Sequence, residues 1–375
     1  MKSFRAALKN KIEKSVFNNF GIENYDIQRF GSYPFEEFKR ARANQSVDLM
    51  NILKTKAKKI IRYKSNQFSK SKIKSIENYI EKLQLIWEQV NKESKDLLVD
   101  IMAYRILGYK KIKLPTNNRN YRKALEKAKL LKINNDIYDP HFMHFILEKF
   151  DLNAIGFNIK LYFSEQGIAI DFIIEQYAYK INNRNVVSVE EGDIVLDVGA
   201  CWGDTALYFA EKTGNNGKVY SFEFIPDNIR LFDINRSLNP ALYERIELVK
   251  HPVSDKTGEN IFFKDDGPGS RIEVNPFKDQ TGSTTTITID YFLQTINPVQ
   301  INFIKMDIEG AELPALRGAI ETIRKYKPKL AIAIYHSMSD FVDIPLWIAS
   351  LNLGYKMYIG HYTIHQEETI IFASC

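Results

Sequence analysis

The sequence predicts an α/β fold preceded by a mainly helical segment. Apolar residues recur at helical spacing up to about residue 135, and short apolar runs alternate with helical stretches from Asp193 onward. A turn with two glycines follows the first of those runs. Short buried strands that alternate with helices are typical of a parallel sheet covered on both faces. A chain of 375 residues exceeds the usual size of one hydrophobic core, so we expect two domains or one extended domain.

The first part of the chain carries two clear helical patterns and one break. One face of a first helix is lined by Ile76, Tyr79, Ile80, Leu83, Trp87 and Val90. A second helix is expected after Ser94, a suitable N-cap residue. The stretch PTNNRN at residues 115–120 ends this pattern. Residues 159–180 hold β-branched and aromatic runs around a glycine, which predicts a hairpin leading into the second part.

The second part alternates strands and helices and ends in two strands with no helix between them. An antiparallel pair at the edge of a parallel sheet is therefore expected. The predicted strands are Ile194–Val198, Lys218–Phe222, Ile246–Lys250, Asn302–Met306 and Leu330–Tyr335. The predicted helices are Ala206–Lys212, Asp227–Leu238, Glu312–Lys325 and Asp340–Leu351.

The stretch DVGACWGDT lies between the first predicted strand and the first helix of the second part. Gly199 and Gly203 allow a tight turn and close approach of a ligand to backbone amides at a helix N-terminus. A dinucleotide fingerprint requires G-x-G-x-x-G, and this loop has only G-A-C-W-G. Glu223 ends the next strand, where an acid can accept hydrogen bonds from ribose hydroxyls, and Asp197 can hold an ammonium group. These residues indicate a ligand with an amine, a ribose and little phosphate, and S-adenosylmethionine fits that description.

Five motifs in order resemble the FkbM family of S-adenosylmethionine-dependent methyltransferases. They are LDVGACWGDTAL, FEFIPDN, HPVSDKTGE, TITIDYFL and FIKMDIEGAELPALRGA, within Val186–Phe372. The resemblance implies a class I methyltransferase (Rossmann-like) fold with a seven-stranded, mostly parallel sheet and an antiparallel edge hairpin. Many members O-methylate sugars or macrolides. We expect a basic, mainly helical domain at residues 1–140, a connecting segment with a β-hairpin at 141–185, and a methyltransferase domain at 186–375.

The resemblance also assigns cofactor-binding positions, residue by residue. The loop after the first strand should frame the methionine part, the acid and its neighbours should bind the ribose, and a segment after the third strand should contact the adenine. Val253 stands where the family usually has a smaller residue. Cys201 is expected to be a small buried neighbour of the cofactor and no nucleophile. The assigned residues are Asp197, Gly199, Ala200, Cys201, Gly203, Glu223, Phe224, Ile225, Asn228, Pro252, Val253 and Ser254.

Asp307 and His336 follow two predicted strands and are the candidate catalytic residues. One of them should take the proton of an attacking hydroxyl, and His336 is expected to titrate near neutrality. Asp307 can instead contact the cofactor amine or orient the substrate. Asp307, Glu309 and Glu312 are also candidate ligands for Mg²⁺. A metal is not favoured, because Glu312 opens a helix, where an acid is stabilising without one.

Two other motifs are interpreted as unrelated to the chemistry. The stretch DPHF at residues 139–142 is similar to the DPPY motif of amino-methylating enzymes, but it lacks the second proline and ends no core strand. His361 and His365 are four residues apart, but they lie in a strand-like segment, so this spacing does not put them on one helical face. We expect a satisfied pair of surface histidines.

The net charge of +6 is unevenly distributed. Residues 1–140 hold 31 Lys and Arg against 15 Asp and Glu, and the run Lys54–Lys74 holds nine basic residues and no acidic one. This run is either a solvated helical face or a site for an anionic partner. Among such partners, an anionic or lipid-linked sugar is favoured over nucleic acid, because only Tyr63 and Phe68 are available for base stacking.

The two cysteines, the charged start of the chain and the short apolar runs predict a cytoplasmic protein without a membrane span. The composition, rich in Lys, Asn and Ile, is typical of a bacterial chain. The favoured function is O-methylation of a sugar, glycan or other small hydroxylated acceptor, for example in polysaccharide biosynthesis. An RNA or DNA methyltransferase and an inactive binding protein of the same fold are the alternatives, and a homo-oligomer remains open.

Overall fold

The computed structural model describes residues 3–33 and 73–375. The chain divides into two compact units, one formed by residues 1–119 with 359–369 and the other by 120–358 with 370–375. All but the last two residues of the basic run Lys54–Lys74 lie outside the described residues. The functional boundaries expected at residues 140 and 185 stay a prediction. Within the described ranges, no helix is both long and apolar enough to cross a bilayer.

The described part of the first unit is built from helices. They are α1 (Phe4–Ser15), α2 (Ile27–Phe30), α3 (Ile80–Gln89) and α4 (Lys92–Leu107), with 3₁₀ turns at Gly21–Asn24 and Glu77–Tyr79. The cap expected at Ser94 is wrong by three residues. Asn91 is the N-cap of α4, because its side-chain oxygen accepts a hydrogen bond from the Ser94 backbone N–H at 3.1 Å.

The second unit begins with a helix and small antiparallel sheets. It contains α5 (Arg119–Lys129), β1 (Lys132–Tyr138), β2 (Leu147–Asp151), β3 (Lys160–Phe163), β4 (Tyr179–Ile181) and β5 (Arg184–Val187), with a 3₁₀ turn at Asn153–Ile155. β2 lies between β1 and β3, and β4 and β5 form a separate two-stranded sheet.

The hairpin expected over residues 159–180 is wrong. β3 pairs with β2, and the chain then forms a helical turn at Glu165–Gly167 followed by a π-helix at Ile168–Ile174. Ser164 starts this helical segment by accepting a hydrogen bond from the Gly167 N–H at 2.9 Å. A short apolar run such as IAIDFII is compatible with a buried strand or a buried helix, so its periodicity alone does not decide between them.

The rest of the second unit alternates strands and helices. The strands are β6 (Ile194–Val198), β7 (Lys218–Phe222), β8 (Ile246–Val249), β9 (Asn260–Lys264), β10 (Arg271–Glu273), β11 (Gly282–Thr285), β12 (Phe303–Met306), β13 (Lys329–Ala333), β14 (Lys356–His361) and β15 (Thr369–Ser374). The helices are α6 (Asp204–Thr213), α7 (Pro226–Ser237), α8 (Pro240–Tyr243), α9 (Ile289–Ile296), α10 (Glu312–Arg317), α11 (Ile320–Tyr326) and α12 (Asp340–Ser350).

A seven-stranded sheet organises these elements in the order β14-β15-β13-β12-β6-β7-β8. The five strands from β13 to β8 are parallel, and β15 runs antiparallel to β13. The predicted class I methyltransferase fold, a seven-stranded and mostly parallel sheet with an antiparallel edge, is confirmed. The carboxyl ends of β6, β7, β12 and β13 meet at one edge, where ligands of open α/β sheets bind.

The helix predicted over Glu312–Lys325 is two helices, α10 and α11. Gly318 separates them because its backbone packs tightly against a neighbouring loop, so that a Cβ at this position would lie 2.1 Å from the carbonyl oxygen of Ser254. The Gly318 carbonyl also accepts a hydrogen bond from the Asp290 N–H at 2.9 Å. These long-range contacts interrupt the helix that the apolar spacing predicted.

Candidate active site

The loop after β6 is held against the loop after β12. Gly199 has a φ of 86°, and a Cβ there would lie 1.9 Å from the carbonyl oxygen of Asp307. Gly203 has a φ of 85° and precedes α6, and a Cβ there would lie 2.9 Å from the ring of Phe232. Both positions therefore require glycine for conformation and for space. The loop places backbone amides next to the start of a helix, as expected for a nucleoside ligand.

Glu223 ties the end of β7 to this loop. One carboxylate oxygen accepts hydrogen bonds from the N–H groups of Phe224 and Ile225 at 2.7 and 2.8 Å. The other accepts from the Cys201 N–H at 3.0 Å and from the Asn228 side chain at 3.3 Å. Burial raises the pKa of Glu223 to about 7 even though these hydrogen bonds oppose the shift. The expected ribose acid thus lies beside the glycine loop.

Asp197 lies in the sheet with a buried lysine as its partner. Its carboxylate is 3.2 Å from the Lys305 ammonium and accepts hydrogen bonds from Thr205 and Ser221. The ammonium group that Asp197 holds is therefore one from its own chain. Sequence reasoning missed Lys305, although a lysine within the apolar strand FIKM is a visible signal. Lys305 also donates a 2.5 Å hydrogen bond to the carbonyl of Gly199.

The segment after β8 carries the expected adenine residues. Pro252 and Val253 are buried, and Val253 forms an isolated bridge with Ile287. The Ser254 N–H donates a hydrogen bond to the Ile287 carbonyl at 3.0 Å. Asn228 is 3% exposed, and its side-chain oxygen has no hydrogen-bond partner. A buried acceptor without a donor is costly in a protein alone, so this atom suits a ligand donor.

Asp307 and His336 meet where β12 and β13 end. His336 Nε2 lies 3.0 Å from Asp307 Oδ1. The Tyr335 hydroxyl donates to both carboxylate oxygens of Asp307, at 3.1 and 3.2 Å, and the Tyr177 hydroxyl donates at 3.4 Å. The pKa of Asp307 lies below its ordinary value, because its hydrogen bonds and the neighbouring charges of His336 and Lys305 outweigh the effect of burial. The sequence did not single out either tyrosine.

His336 is surrounded by carboxylates. Nε2 also lies 3.2 Å from Glu312 Oε1, and Nδ1 lies 3.5 Å from Glu309 Oε2. Burial lowers the pKa of His336, but the contacts with Asp307 and Glu312 outweigh it and raise this pKa to about 11. The expectation that His336 titrates near neutrality is therefore wrong. The sequence did not reveal that three acidic side chains surround the His336 ring.

Glu312 is the first residue of α10 and is 0% exposed. One carboxylate oxygen accepts a hydrogen bond from the Ile308 N–H at 2.8 Å, and the other has no hydrogen-bond partner. Among the described residues, Asp307, Glu312 and His336 form a group whose ligand atoms lie within 4.8 Å of one another. Glu309, which was expected to join Asp307 and Glu312, instead contacts the other side of the His336 ring.

Three further sequence predictions concern residues outside this cluster. Burial raises the pKa of the Cys201 thiol well above its ordinary value, which disfavours a thiolate. The DPHF stretch follows β1, which is not part of the seven-stranded sheet. His361 and His365 are 7% and 3% exposed, so the expected surface location is wrong. Both ring nitrogens of His365 lack hydrogen-bond partners, so this pair is buried and incompletely satisfied.

The sequence between the glycine loop and the last strands matches a known domain. Residues 197–357 match the family model of the Methyltransferase FkbM domain. This part of the chain is an FkbM methyltransferase domain. Its matched range includes the glycine loop, Glu223, Asp307 and His336. No curated protein matches the chain.

Solved structures similar to this chain include several methyltransferases. An FkbM methyltransferase from Methylobacillus flagellatus KT aligns with 18% identity and a TM-score of 0.49, over 80% of this chain and 60% of that one. Aeropyrum pernix fibrillarin with bound S-adenosyl-L-methionine aligns at 12% identity and a TM-score of 0.32, over 64% and 98% of the two chains. An O-methyltransferase from Thermotoga maritima aligns at 14% identity and a TM-score of 0.30, over 50% and 60%.

The Methylobacillus flagellatus protein extends beyond the part that aligns with the present chain. The chain spans 60% of the length of the Methylobacillus flagellatus protein. Identities and TM-scores in this range do not identify an acceptor. The acceptor of the FkbM domain must therefore be inferred from its own residues.

Proposed function

We propose that the FkbM domain transfers a methyl group from S-adenosylmethionine to a hydroxyl of a sugar, a glycan or another small hydroxylated acceptor. The observation that carries this proposal is the Asp307–His336 pair, 3.0 Å apart at the carboxyl end of the sheet. Gly199 lies directly against the backbone of Asp307. The methyl donor and the catalytic pair would thus share one edge of the sheet.

The cofactor assignment has support in the geometry of the loops. Gly199, Ala200, Cys201 and Gly203 lie between β6 and α6, where the methionine part would lie, with Asp197 buried beneath. Glu223, Phe224 and Ile225 end the neighbouring strand and would hold the ribose. The unpartnered oxygen of Asn228 suits a hydroxyl or amino donor of the nucleoside. Pro252, Val253 and Ser254 would line the adenine.

When bound, S-adenosylmethionine supplies a methyl group on a positively charged sulfur. In the proposed step, the acceptor oxygen forms a bond to the methyl carbon, the carbon–sulfur bond breaks, and the hydroxyl proton leaves. The products are a methyl ether, the neutral thioether of the cofactor and one proton. Asp307 accepts the hydrogen bond of the acceptor hydroxyl and receives this proton before it passes to solvent.

His336 acts in this proposal as a positioning residue. Because its pKa is raised to about 11, it is already protonated at neutral pH and does not take up the proton. Its hydrogen bond keeps the Asp307 carboxylate in place. Holding both reactants in attack geometry can supply roughly 7 to 11 kcal/mol, whereas a positioned base contributes about 10²- to 10⁴-fold in rate. Positioning is therefore the larger contribution.

The acceptor class follows from charge. The basic residues of the N-terminal 140 residues favour an anionic acceptor, such as a sugar carried on a diphosphate or a lipid-linked diphosphate. The proposal places the protein in the cytoplasm. Residues 1–140 would recruit the acceptor to a methyltransferase domain at 186–375. A role in polysaccharide biosynthesis is part of this proposal.

The experiment measures S-adenosylhomocysteine release by the full chain with three acceptor sets: free sugars, nucleoside diphosphate sugars and mixed RNA. Release with a sugar set, together with a gain of one methyl mass in the sugar, is the expected result. Methyl incorporation into RNA alone would replace the proposed acceptor with nucleic acid. Absence of calorimetric S-adenosylmethionine binding would overturn the enzymatic proposal as a whole.

A further inference from the structure

The geometry of the strand-end cluster points to a binding site for a divalent transition-metal ion, and we propose that Asp307, Glu312 and His336 are its three protein ligands. The site stands on these side chains and not on the identity of the acceptor. Only the catalytic use of the ion rests on the proposed function.

The distances between the ligand atoms fit a shared ion. His336 Nε2 lies 3.0 Å from Asp307 Oδ1 and 3.2 Å from Glu312 Oε1. In an octahedral site with ligand bonds of about 2.1 Å, neighbouring ligand atoms stand about 3.0 Å apart. The ion would replace the proton through which His336 Nε2 contacts Asp307 in the chain alone, because a histidine binds a metal as the neutral imidazole.

Glu312 supplies an observation that the cluster alone does not. Its side chain is 0% exposed, yet one of its carboxylate oxygens has no hydrogen-bond partner. Leaving a buried charged oxygen without a partner carries a desolvation cost. A cation bound by this carboxylate would remove that cost. The Ile308 N–H and His336 Nε2 both lie against the other oxygen, Oε1, so neither of them is a partner for Oε2.

The outer contacts match those around metal ligands. Glu309 Oε2 lies 3.5 Å from His336 Nδ1, on the side of the ring opposite the cluster. Tyr335 and Tyr177 donate hydrogen bonds to Asp307. Metal-binding histidines usually direct their second nitrogen to a carboxylate or carbonyl, and metal-binding carboxylates are themselves hydrogen-bonded. The cluster has both features.

The donor set selects the kind of metal. Imidazole suits Zn²⁺, Fe²⁺ and similar ions, and carboxylates also suit Mn²⁺. Mg²⁺ is bound through oxygen and keeps several waters. One nitrogen with two carboxylates therefore favours Mn²⁺, Fe²⁺, Co²⁺ or Zn²⁺ over Mg²⁺. Three protein ligands leave at least one coordination position for an acceptor oxygen, as in catalytic sites.

The test uses the full chain, stripped of metal with a chelator and titrated with Co²⁺ and Mn²⁺ in the absence of cofactor and acceptor. We expect saturable binding of one ion per chain, a visible Co²⁺ absorption band and a nitrogen coupling from one imidazole in the pulsed EPR spectrum of bound Mn²⁺. Glu312→Gln and His336→Gln should each weaken binding by about tenfold or more.

The control is Glu321→Gln, which removes an exposed acid from α11 and should leave metal affinity unchanged. Circular dichroism establishes that each variant is folded. If a variant does not fold, the imidazole coupling in the wild-type chain still decides the matter. Absent saturable binding, absent nitrogen coupling, or equal affinity in wild type and folded Glu312→Gln would overturn the site. Because methyl transfer is measured separately, failure of either proposal leaves the other result interpretable.

Discussion

The Lys305 ammonium lies 3.2 Å from a carboxylate oxygen of Asp197, and the two side chains are 2% and 0% exposed. The two residues face each other in the register of β12 and β6. Each charge depends on the other, because an isolated charge in this environment would be strongly destabilising. This ion pair and the hydrogen bond from Lys305 to the Gly199 carbonyl link the centre of the sheet to the glycine loop.

Breaking this pair should destabilise the protein. Lys305→Met leaves the Asp197 charge buried and should lower the free energy of unfolding by about 3–5 kcal/mol in urea denaturation. The double variant Lys305→Met with Asp197→Asn should lose less than the sum of the single losses. In the exposed pair Arg324–Glu321, Arg324→Met should change stability by less than about 1 kcal/mol. Additive losses at Asp197 and Lys305 would contradict their coupling.

The contact between the glycine loop and Asp307 gives a second prediction. Gly199→Ala combines a left-handed φ with a Cβ 1.9 Å from the Asp307 carbonyl oxygen, so it should abolish methyl transfer and destabilise the domain. Gly192 has the same φ of 86° but nothing within 4 Å of its Cβ position. Gly192→Ala should therefore cost only the conformational strain, about 1–2 kcal/mol. Equal losses in thermal denaturation would show that the close approach is unimportant.

Glu223 should make stability depend on pH. Its pKa is about 7 in the folded chain against an ordinary value of 4.5, because burial disfavours the ionised form. Its stabilising contribution is therefore fully present below pH 4.5 and is lost as pH rises through about 7. The loss should be roughly 1–3 kcal/mol in wild type and absent in Glu223→Gln. Urea midpoints across this range measure it, with the exposed Glu191→Gln as control.

His365 should have the opposite pH dependence. Burial lowers the pKa of His365 from 6.5 to about 3. The contribution of the neutral ring to the free energy of unfolding is therefore complete above pH 6.5 and falls as the pH decreases toward 3. Neither ring nitrogen has a hydrogen-bond partner, and the ring packs edge-on against Phe30. His365→Phe should therefore preserve stability at neutral pH and reduce the loss between pH 6.5 and 5 by about 2 kcal/mol. Hydrogen exchange of residues 359–369 reports this locally, and an unchanged acid response would exclude His365 as its source.

The proposed catalytic pair, Asp307 and His336, gives a fifth prediction. Asp307→Asn should reduce kcat by about 10²- to 10⁴-fold, since the amide cannot receive the acceptor proton. The calorimetric Kd for S-adenosylmethionine should change little. Tyr335→Phe removes the hydroxyl that donates to both carboxylate oxygens of Asp307 and should produce a much smaller loss in kcat. A normal kcat in the folded Asp307→Asn variant would remove Asp307 from the reaction.

Sequence periodicity was sufficient to predict the parallel core of the fold. Strands such as β6 and β7 have the predicted bounds, because short apolar runs between turn signals have few alternatives. The run IAIDFII, which forms a π-helix, was the exception, since a short apolar run is compatible with a buried strand or a buried helix. Glycine positions in the first loop were visible because their conformation is local.

Properties that depend on long-range neighbours could not be predicted. The raised pKa of His336 arises from Asp307 and Glu312, more than twenty positions earlier in the sequence. Lys305 meets Asp197 only because β12 and β6 pair in one register. The burial of His361 and His365 follows from packing in the first unit, which their spacing along the chain did not indicate.

The assignment of residues 359–369 to the first unit bears on how the protein can be dissected. A shortened protein that began at residue 120 would keep β14 and β15. It would lose residues 1–119, which form one unit with the segment 359–369 that connects these strands. His361 and His365 would then be solvated instead of buried. Anyone preparing the second unit alone should therefore retain the amino-terminal helices or redesign the β14–β15 connection with polar residues.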